Sequence, residues 1–391
     1  MAVTLTNADK ALKSLYLDVV SEQLNFKANP FLAQIKQTTN DVWGKEVRKL
    51  AVYGLNGGIG AGTEDGNLPS AQGNNYENFV ATLKNLYGTI EISDKAIRAS
   101  ENNSGAFVSL LNAEMEGLIK SSSFNFGRML FGDGTGTLAK VSSISNGVIT
   151  LDSVKNVIEG MVVDFKTSLG ADITGASGRK IILVDRTNKT ITVSGTTLTS
   201  TDVPQNSLVV VQGSYNNEIT GLGAIFGSSS TIYGLTRANH SWLTPYKLTS
   251  CGALSELKIQ TALDTIEQNS GSSINFIVCS WGVKRAFQDL FSSRKMLVDM
   301  MELNGGYKTM SYNGIPVVAD RFCPDGTMYL LNTEDFALHE LCDWQWLEGE
   351  DGKILKQVAG KPVYTATLVK YAELLCSRPI GQGVITGITE K

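Results

Sequence analysis

Apolar side chains recur at helical spacing over residues 104–131. They keep to one face of a helix through Phe107, Leu110, Leu111, Met115, Leu118, Ile119, Phe126, Met129 and Leu130. At 1.5 Å per residue this helix would span about 40 Å. Because glycine is unfavourable within a helix and common just beyond one, the glycines at 132, 134 and 136 predict that the helix ends at Phe131.

The segment before this helix has strand character interrupted by a glycine-rich stretch. Residues 42–53 and 79–93 are strand-like, whereas residues 54–75 are rich in glycine and carry Glu64 and Asp65 at the centre. The pattern predicts a long two-stranded excursion with a flexible tip. A two-stranded ribbon is marginally stable alone in water, so it must lie on another surface.

The first 42 residues are predicted to form an N-terminal arm. Residues 8–26 place Leu12, Leu15, Tyr16, Val19 and Val20 at helical spacing, and Asn29-Pro30 ends the pattern.

Residues 138–215 show no helical period and contain short β-branched runs separated by turn signals. Asn146-Gly147 predicts a hairpin within 141–151, because both residues tolerate positive φ. A second hairpin is expected within 181–193, turning at 186–189, and a further strand at 208–211. The stretch predicts a compact β module inserted after the long helix.

The rest of the chain is predicted to contain both helices and strands. Helices are predicted at 254–267 and around Val283, Phe287 and Leu290, and strands at 274–280, 315–320, 328–332, 336–341 and 363–376. The last strand would be roughly 45 Å long at 3.3 Å per residue.

Composition narrows the classes of function. Only 18% of the 391 residues are charged, the formal net charge is −4, and no basic run could neutralise phosphates, which argues against tight nucleic-acid binding. The sequence predicts no membrane span and no signal peptide. The five cysteines lie between residues 251 and 376 and are predicted to be reduced core residues.

Candidate chemistry is sparse, and the sequence predicts neither an enzyme nor a cofactor or metal site. The chain has two histidines, His240 and His339. His339 and Cys342 are three apart in a strand-like region and would face opposite sides of a sheet, so a packed thiol and a surface or interface imidazole are predicted. No paired cysteine motif for zinc and no phosphate loop followed by Gly-Lys-Ser/Thr occurs. Trp344 and Trp346 are expected to pack in the core or an interface.

The order of arm, glycine-tipped β excursion, long helix and α/β body ending in one long strand resembles the major capsid proteins of tailed bacteriophages. That resemblance implies an α+β, Hong Kong 97-like capsid fold, which bacterial encapsulin compartments share. The implied divisions are an N-terminal arm at 1–42, an extended β loop at 43–93, a peripheral domain at 94–137, 216–253 and 360–391 with its spine helix at 104–131, an inserted small β domain at 138–215, and an axial domain at 254–359.

The resemblance also implies a function and partners. Many copies would form pentamers and hexamers of an icosahedral head shell, assembled in the host cytoplasm and enclosing double-stranded DNA that is contacted only weakly. A portal and a decoration protein are implied partners, and the resemblance implies either a separate scaffolding protein or none. Intersubunit contacts are expected at Gly58, Gly60, Gly62, Glu64, Asp65, Phe26, Phe31 and Trp43.

Two alternatives remain open at the level of the sequence. One is an encapsulin-like compartment of the same fold. The other is a different class of protein: another phage structural protein, such as a tail tube or adhesin, or a carbohydrate-binding protein built around residues 138–215.

Overall fold

The computed structural model describes residues 29–96, 104–292, 300–303, 307–349 and 352–391. The predicted arm helix at 8–26 lies outside these residues. Within them, helices of at least one turn are α1 (Ser104–Phe131), α2 (Leu222–Ile225), α3 (Glu256–Ser270) and α4 (Trp281–Ser292). The prediction for the long helix is confirmed at both ends.

One mixed sheet is built around the longest strand. Its members are β1 (Lys36–Thr38), β5 (Lys84–Ser93), β20 (Phe336–Trp346), β21 (Lys356–Gln357) and β22 (Val363–Cys376). The prediction of β22 is confirmed at both ends. β22 pairs with β5 along one edge and with β20 and β21 along the other, and β1 extends the sheet beyond β20. Helix α1 lies against β5 and buries Met115, Ile119, Phe126 and Leu130 in the main core.

A second, seven-stranded sheet forms the other part of the body. In spatial order its strands are β14 (Tyr246–Leu248), β23 (Gly383–Ile385), β19 (Met328–Leu331), β15 (Phe276–Cys279), β18 (Ile315–Ala319), β17 (Tyr307–Tyr312) and β16 (Met300–Leu303). Helix α3 packs near it, begins where the Ser255 hydroxyl accepts a hydrogen bond from the Lys258 amide, and ends at Gly271 with φ of 63°.

The strands of the seven-stranded sheet do not coincide with residues 254–359, the range predicted for the axial domain. β14 and β23 lie outside that range but hydrogen-bond within the seven-stranded sheet. β20 lies inside the range but pairs with β22 in the other sheet. Three-residue strands leave almost no pattern in a sequence, and backbone pairing between distant segments decides where they belong.

Residues 137–211 form a closed six-stranded barrel with a core of its own. Its strands are β6 (Thr137–Ser145), β7 (Val148–Leu151), β8 (Val162–Lys166), β9 (Arg179–Asp185), β10 (Thr190–Val193) and β11 (Leu208–Val211). Asn146 and Gly147 have φ of 50° and 77°, so the predicted hairpin is confirmed with its turn chemistry. Phe165, Val163 and Val209 are fully buried in a cluster separate from the main core.

This separate core leads to a prediction about the barrel alone. A closed barrel leaves no unpaired strand edge, and its apolar residues pack on one another rather than on the body. We therefore expect a fragment spanning residues 134–217 to fold autonomously, giving dispersed amide resonances and a cooperative thermal transition. The fragment with Phe165→Ala should lose about 3–5 kcal/mol of stability. A wild-type fragment without a cooperative transition would contradict this expectation.

The predicted excursion is a three-stranded ribbon. β2 (Val42–Trp43) precedes β3 (Glu46–Tyr53), which pairs with β4 (Asn75–Thr82) from Glu46↔Thr82 to Tyr53↔Asn75. Residues 54–74 between β3 and β4 contain no helix or strand. A small hairpin of β12 (Thr231–Ile232) and β13 (Leu235–Thr236) lies under the ribbon's base, where the Val80 amide donates to the Tyr233 carbonyl at 3.0 Å.

Candidate intersubunit surface

The two faces of the β3–β4 ribbon have different surroundings. Val47, Ala51, Phe79 and Ala81 are buried on the inner face and belong to the main core. The outer face carries exposed apolar side chains, Leu50, Val52 and Tyr76, and Val52 lies directly across from Tyr76. Successive side chains of a strand point to opposite faces, and here apolar side chains lie on both faces, with Arg48 and Asn78 also on the outer one. The outer face therefore has the composition of a covered surface.

An aromatic cluster fixes the ribbon to the body as far as Tyr53, the last residue before the tip. The Tyr53 ring stacks on Trp242 with centroids 5.3 Å apart, and Phe79 packs against Trp242 and Tyr233 at 5.5 and 5.6 Å. His240 also contacts the rings of Tyr53 and Trp242. Ring contacts of this kind stabilise their arrangement by about 0.5–1.5 kcal/mol each beyond burial, so the direction in which the ribbon leaves the body is well defined.

The tip of the ribbon exposes large apolar side chains. Leu55, Ile59 and Leu68 are 83%, 78% and 91% exposed, and the predicted contact residues Glu64 and Asp65 lie between them on the exposed tip. Exposed apolar groups concentrated on one projection are characteristic of a surface that a partner covers. Together with Leu50, Val52 and Tyr76, we call Leu55, Ile59 and Leu68 the loop surface.

The tip glycines serve two different purposes. Gly58 is half-buried and its amide donates to the Asn56 side chain at 2.8 Å, and a Cβ at Gly60 would come within 3.1 Å of Pro69. Gly62 is exposed and its surroundings would accommodate a Cβ at 3.8 Å from the nearest atom. Gly58 and Gly60 therefore lie in close contacts within the tip. Gly62, in contrast, has free space around its Cα.

The remaining predicted contact residues differ in their exposure to solvent. Trp43 is 70% exposed at the start of the ribbon. Phe31 is fully buried, with its ring 5.5 Å from Phe336 and 6.2 Å from Phe131, so it packs within its own chain and the prediction of an intersubunit contact is wrong for this residue. Phe26 lies outside the described residues.

Most of the candidate chemical groups of the sequence lie in the core, whereas His240 and Cys342 are half-buried. His339 is buried within its own chain and its Nδ1 is 2.9 Å from the Asn40 carbonyl, which corrects the prediction of a surface or interface imidazole. Burial lowers the pKa of this histidine. Cys251, Cys279, Cys323 and Cys376 are buried thiols, and burial raises the pKa of Cys279 to about 12. Trp344 and Trp346 are buried as predicted. Where side chains are described, no group of three or more His, Cys, Asp or Glu could hold a metal ion.

Helix length and polarity also bear on membranes. No helix in the described part of the chain combines the length and hydropathy that a membrane span requires.

A buried carboxyl in β22 makes stability depend on pH. Glu373 is buried, and its carboxyl accepts hydrogen bonds from the Thr220 amide at 2.6 Å and the Leu374 amide at 3.2 Å, with Lys84 nearby. Burial raises the pKa of Glu373 to about 7. An unfolded glutamate has a pKa of about 4.3, so between these values the folded chain holds a proton that the unfolded chain lacks.

Stability should therefore fall as pH rises from about 4 to 7 and level off above that. Glu373→Gln keeps an acceptor for the two amides and cannot ionise. We expect this variant to be more stable than the wild type by about 3 kcal/mol at pH 8 and to match it near pH 4, measured by denaturant unfolding at each pH. Parallel pH profiles for the two proteins would contradict the assignment.

Comparison with known proteins gives a fold. No protein-family model and no curated protein matches the sequence. The chain is similar to a chain in the capsid asymmetric unit of cyanophage A-1(L), with 13% identity, 95% of this chain and 93% of that chain covered, and a TM-score of 0.56. A protein of Mycobacterium phage Adephagia has 8% identity over 94% and 92% of the two chains at 0.48. The SrpI encapsulin of Synechococcus elongatus has 10% identity over 93% and 89% at 0.47.

The cyanophage similarity runs along nearly the whole of both chains. This chain therefore has the α+β, Hong Kong 97-like capsid fold that the order of its elements predicted. At 13% identity the similarity establishes the fold and leaves the function to be argued from this chain's own surfaces.

Proposed function

We propose that this chain is the major capsid protein of a tailed bacteriophage and that its copies assemble into the icosahedral shell around double-stranded DNA. The observation that carries the proposal is the loop surface: exposed apolar side chains on the outer face and tip of a ribbon whose inner face packs on a body with the capsid fold. In one isolated chain this surface would face water, and a second copy would cover it.

The energetics of the loop surface favour a permanent partner. Burying one leucine or isoleucine side chain contributes about 1.5–3 kcal/mol, and Leu55, Ile59 and Leu68 are all more than three-quarters exposed. The outer face of the ribbon adds Leu50, Val52 and Tyr76. We propose that this surface, with Trp43, Glu64 and Asp65, forms the contact with the neighbouring subunit.

The other parts of the chain take roles that follow from their positions. We propose that α1 and the β5–β20–β22 sheet form the peripheral domain, and that the seven-stranded sheet with α3 and α4 forms the axial domain, which would surround the centres of pentamers and hexamers. The barrel is the inserted domain. We propose that a separate scaffolding protein, a portal and a decoration protein are partners in the virion.

The electrostatic balance fits a container for DNA. A net charge of −4 over 391 residues gives no basic field that would bind phosphates tightly. We propose that packaged DNA touches the shell only weakly and that assembly takes place in the host cytoplasm.

An encapsulin-like compartment is the second candidate, because it would use the same fold and the same loop surface. The two differ in contents: one shell encloses DNA with a portal at one vertex, and the other encloses a cargo protein. The carbohydrate-binding alternative has no observation in its favour, because the barrel interior is filled by its own apolar core.

Sedimentation velocity of the full-length chain tests the proposal. We expect material at the size of pentamers or hexamers, and larger closed particles as concentration rises. A matched sample lacking residues 56–72 should remain as monomers with an unchanged circular dichroism spectrum. Monomers for both samples at every concentration, with and without co-expressed neighbouring proteins of the same operon, would contradict it.

A further inference from the structure

A fully buried lysine lies between two carboxylates beneath the long helix. The Lys370 Nζ is 2.6 Å from Glu340 Oε2 and 2.6 Å from Asp343 Oδ1, and the side chain of Lys370 has no exposed surface. The ammonium also lies 5.7 Å from the Phe126 ring and 6.0 Å from the Trp344 ring. Few charged groups are buried to this extent, because removal from water is costly for each of them.

Irregular pairing of β20 creates the cluster. Glu340 and Asp343 are three residues apart and would point to opposite faces of a regular strand. The register between β20 and β22 shifts between Glu340 and Cys342 and again between Cys342 and Gln345. These two irregularities turn both carboxylates toward Lys370, and bulges commonly re-aim side chains next to reactive sites.

We propose that Lys370 and Asp343 condense to an amide that links β22 to β20 within one chain, with Glu340 as the group that transfers protons. The amine and the Asp343 carboxylate are held at hydrogen-bond distance in the folded chain, which replaces an encounter in solution by a positioned pair. The product is neutral, so linkage removes two charges from a buried position.

The reaction balances without any co-reactant. Glu340 accepts a proton from the Lys370 ammonium and passes it to the Asp343 carboxylate. The free amine attacks Asp343 Cγ, an N–C bond forms, and a C–O bond breaks. Glu340 then carries a second amine proton to the departing oxygen, which leaves as one water molecule and restores the Glu340 carboxylate. Asp343 retains 35% of its side-chain exposure, which gives the water a way out.

A second ion pair in the chain serves as a comparison. Lys166 Nζ lies 2.5 Å from Asp172 Oδ1, but Asp172 is 77% exposed and no other carboxylate is recorded in contact with Lys166 among the described residues. The amine and the carboxylate of this pair are nearly as close as those of Lys370 and Asp343. The acid is much more exposed, however, and in the described part of the chain no second carboxylate lies beside the amine to transfer protons. We expect it to remain an ordinary ion pair.

The mass of the denatured full-length chain tests the proposal. We expect the purified wild type to be lighter than its sequence mass by one water molecule, and a protease digest to contain one branched peptide joining Asp343 to Lys370. Lys370→Arg and Asp343→Ala should both restore the sequence mass. Glu340→Gln should restore it while leaving Lys370 and Asp343 in place, and Lys166→Arg should leave the linkage unchanged.

Folding of each variant is followed by circular dichroism, but the wild-type measurement decides the matter alone. A wild-type chain at its full sequence mass after prolonged incubation from pH 5 to 9 would overturn the proposal. A branched peptide at Lys166–Asp172, or linkage that persists in Glu340→Gln, would overturn the assigned chemistry.

Discussion

Replacing Leu55, Ile59 and Leu68 together by serine is expected to abolish assembly while leaving the subunit folded. The three side chains are exposed at the ribbon's tip and contribute nothing to the chain's own core. If a neighbour buries them, each contributes about 1.5–3 kcal/mol, so the triple variant loses roughly 5 kcal/mol or more per contact. That loss weakens each contact about a thousandfold or more. Sedimentation velocity should show only monomers or isolated capsomers.

Leu169→Ser is the matched control for the triple variant. Leu169 is 92% exposed in a turn of the barrel, as exposed as Leu68, but it lies outside the loop surface. We expect this variant to assemble like the wild type. Normal particles from the triple variant, or loss of particles from Leu169→Ser, would show that the loop surface is not the contact.

Arg128→Ala is expected to destabilise the subunit by about 3–5 kcal/mol. Arg128 on α1 donates two hydrogen bonds to Glu218, at 2.8 and 2.5 Å, and the side chains are 3% and 2% exposed. Glu218 follows the last strand of the barrel in sequence, so the pair connects the long helix to the segment in which the chain leaves the barrel. Without the guanidinium a carboxylate remains buried without its partner, which is the costly state.

Chemical unfolding in the triple-serine background, which we expect to stay unassembled, provides the measurement. The double variant Arg128→Met with Glu218→Leu should recover most of the lost stability, because it removes both charges together. Lys120→Ala breaks the exposed pair with Glu116 on the same helix and should change stability by less than about 1 kcal/mol. Equal losses from Arg128→Ala and from the double variant would contradict the role of the unpaired carboxylate.

The long, strongly patterned elements could be predicted from the sequence, and the short ones could not. α1 and β22 match their predicted bounds because each has a long run of one period or one residue class. β14 and β23 have three residues each, and their place in the sheet depends on partners far along the chain. β17 was not predicted either, although it forms local hairpins with β16 and β18.

The sequence predicted where the candidate surface lies but not which apolar side chains form it. The glycine-rich tip was visible, whereas the loop surface depends on Leu50 and Val52 facing outward, and only the pairing with β4 shows which face of β3 is covered. The strand alternation in the sequence places Leu50 and Val52 on one face of β3 but does not show that this face is the exposed one. His339 is buried because β1, some 300 residues earlier, pairs beside it, and no local pattern contains that contact. The cluster at Lys370 depends on two register shifts, which residue types alone do not encode.

Electron cryo-microscopy of particles assembled from the full-length chain tests the central claim most directly. The account predicts closed icosahedral shells in which residues 54–74 of each copy lie on an adjacent subunit and Leu55, Ile59 and Leu68 are covered. Rings or tubes that never close, or shells in which these three side chains remain in solvent, would contradict it.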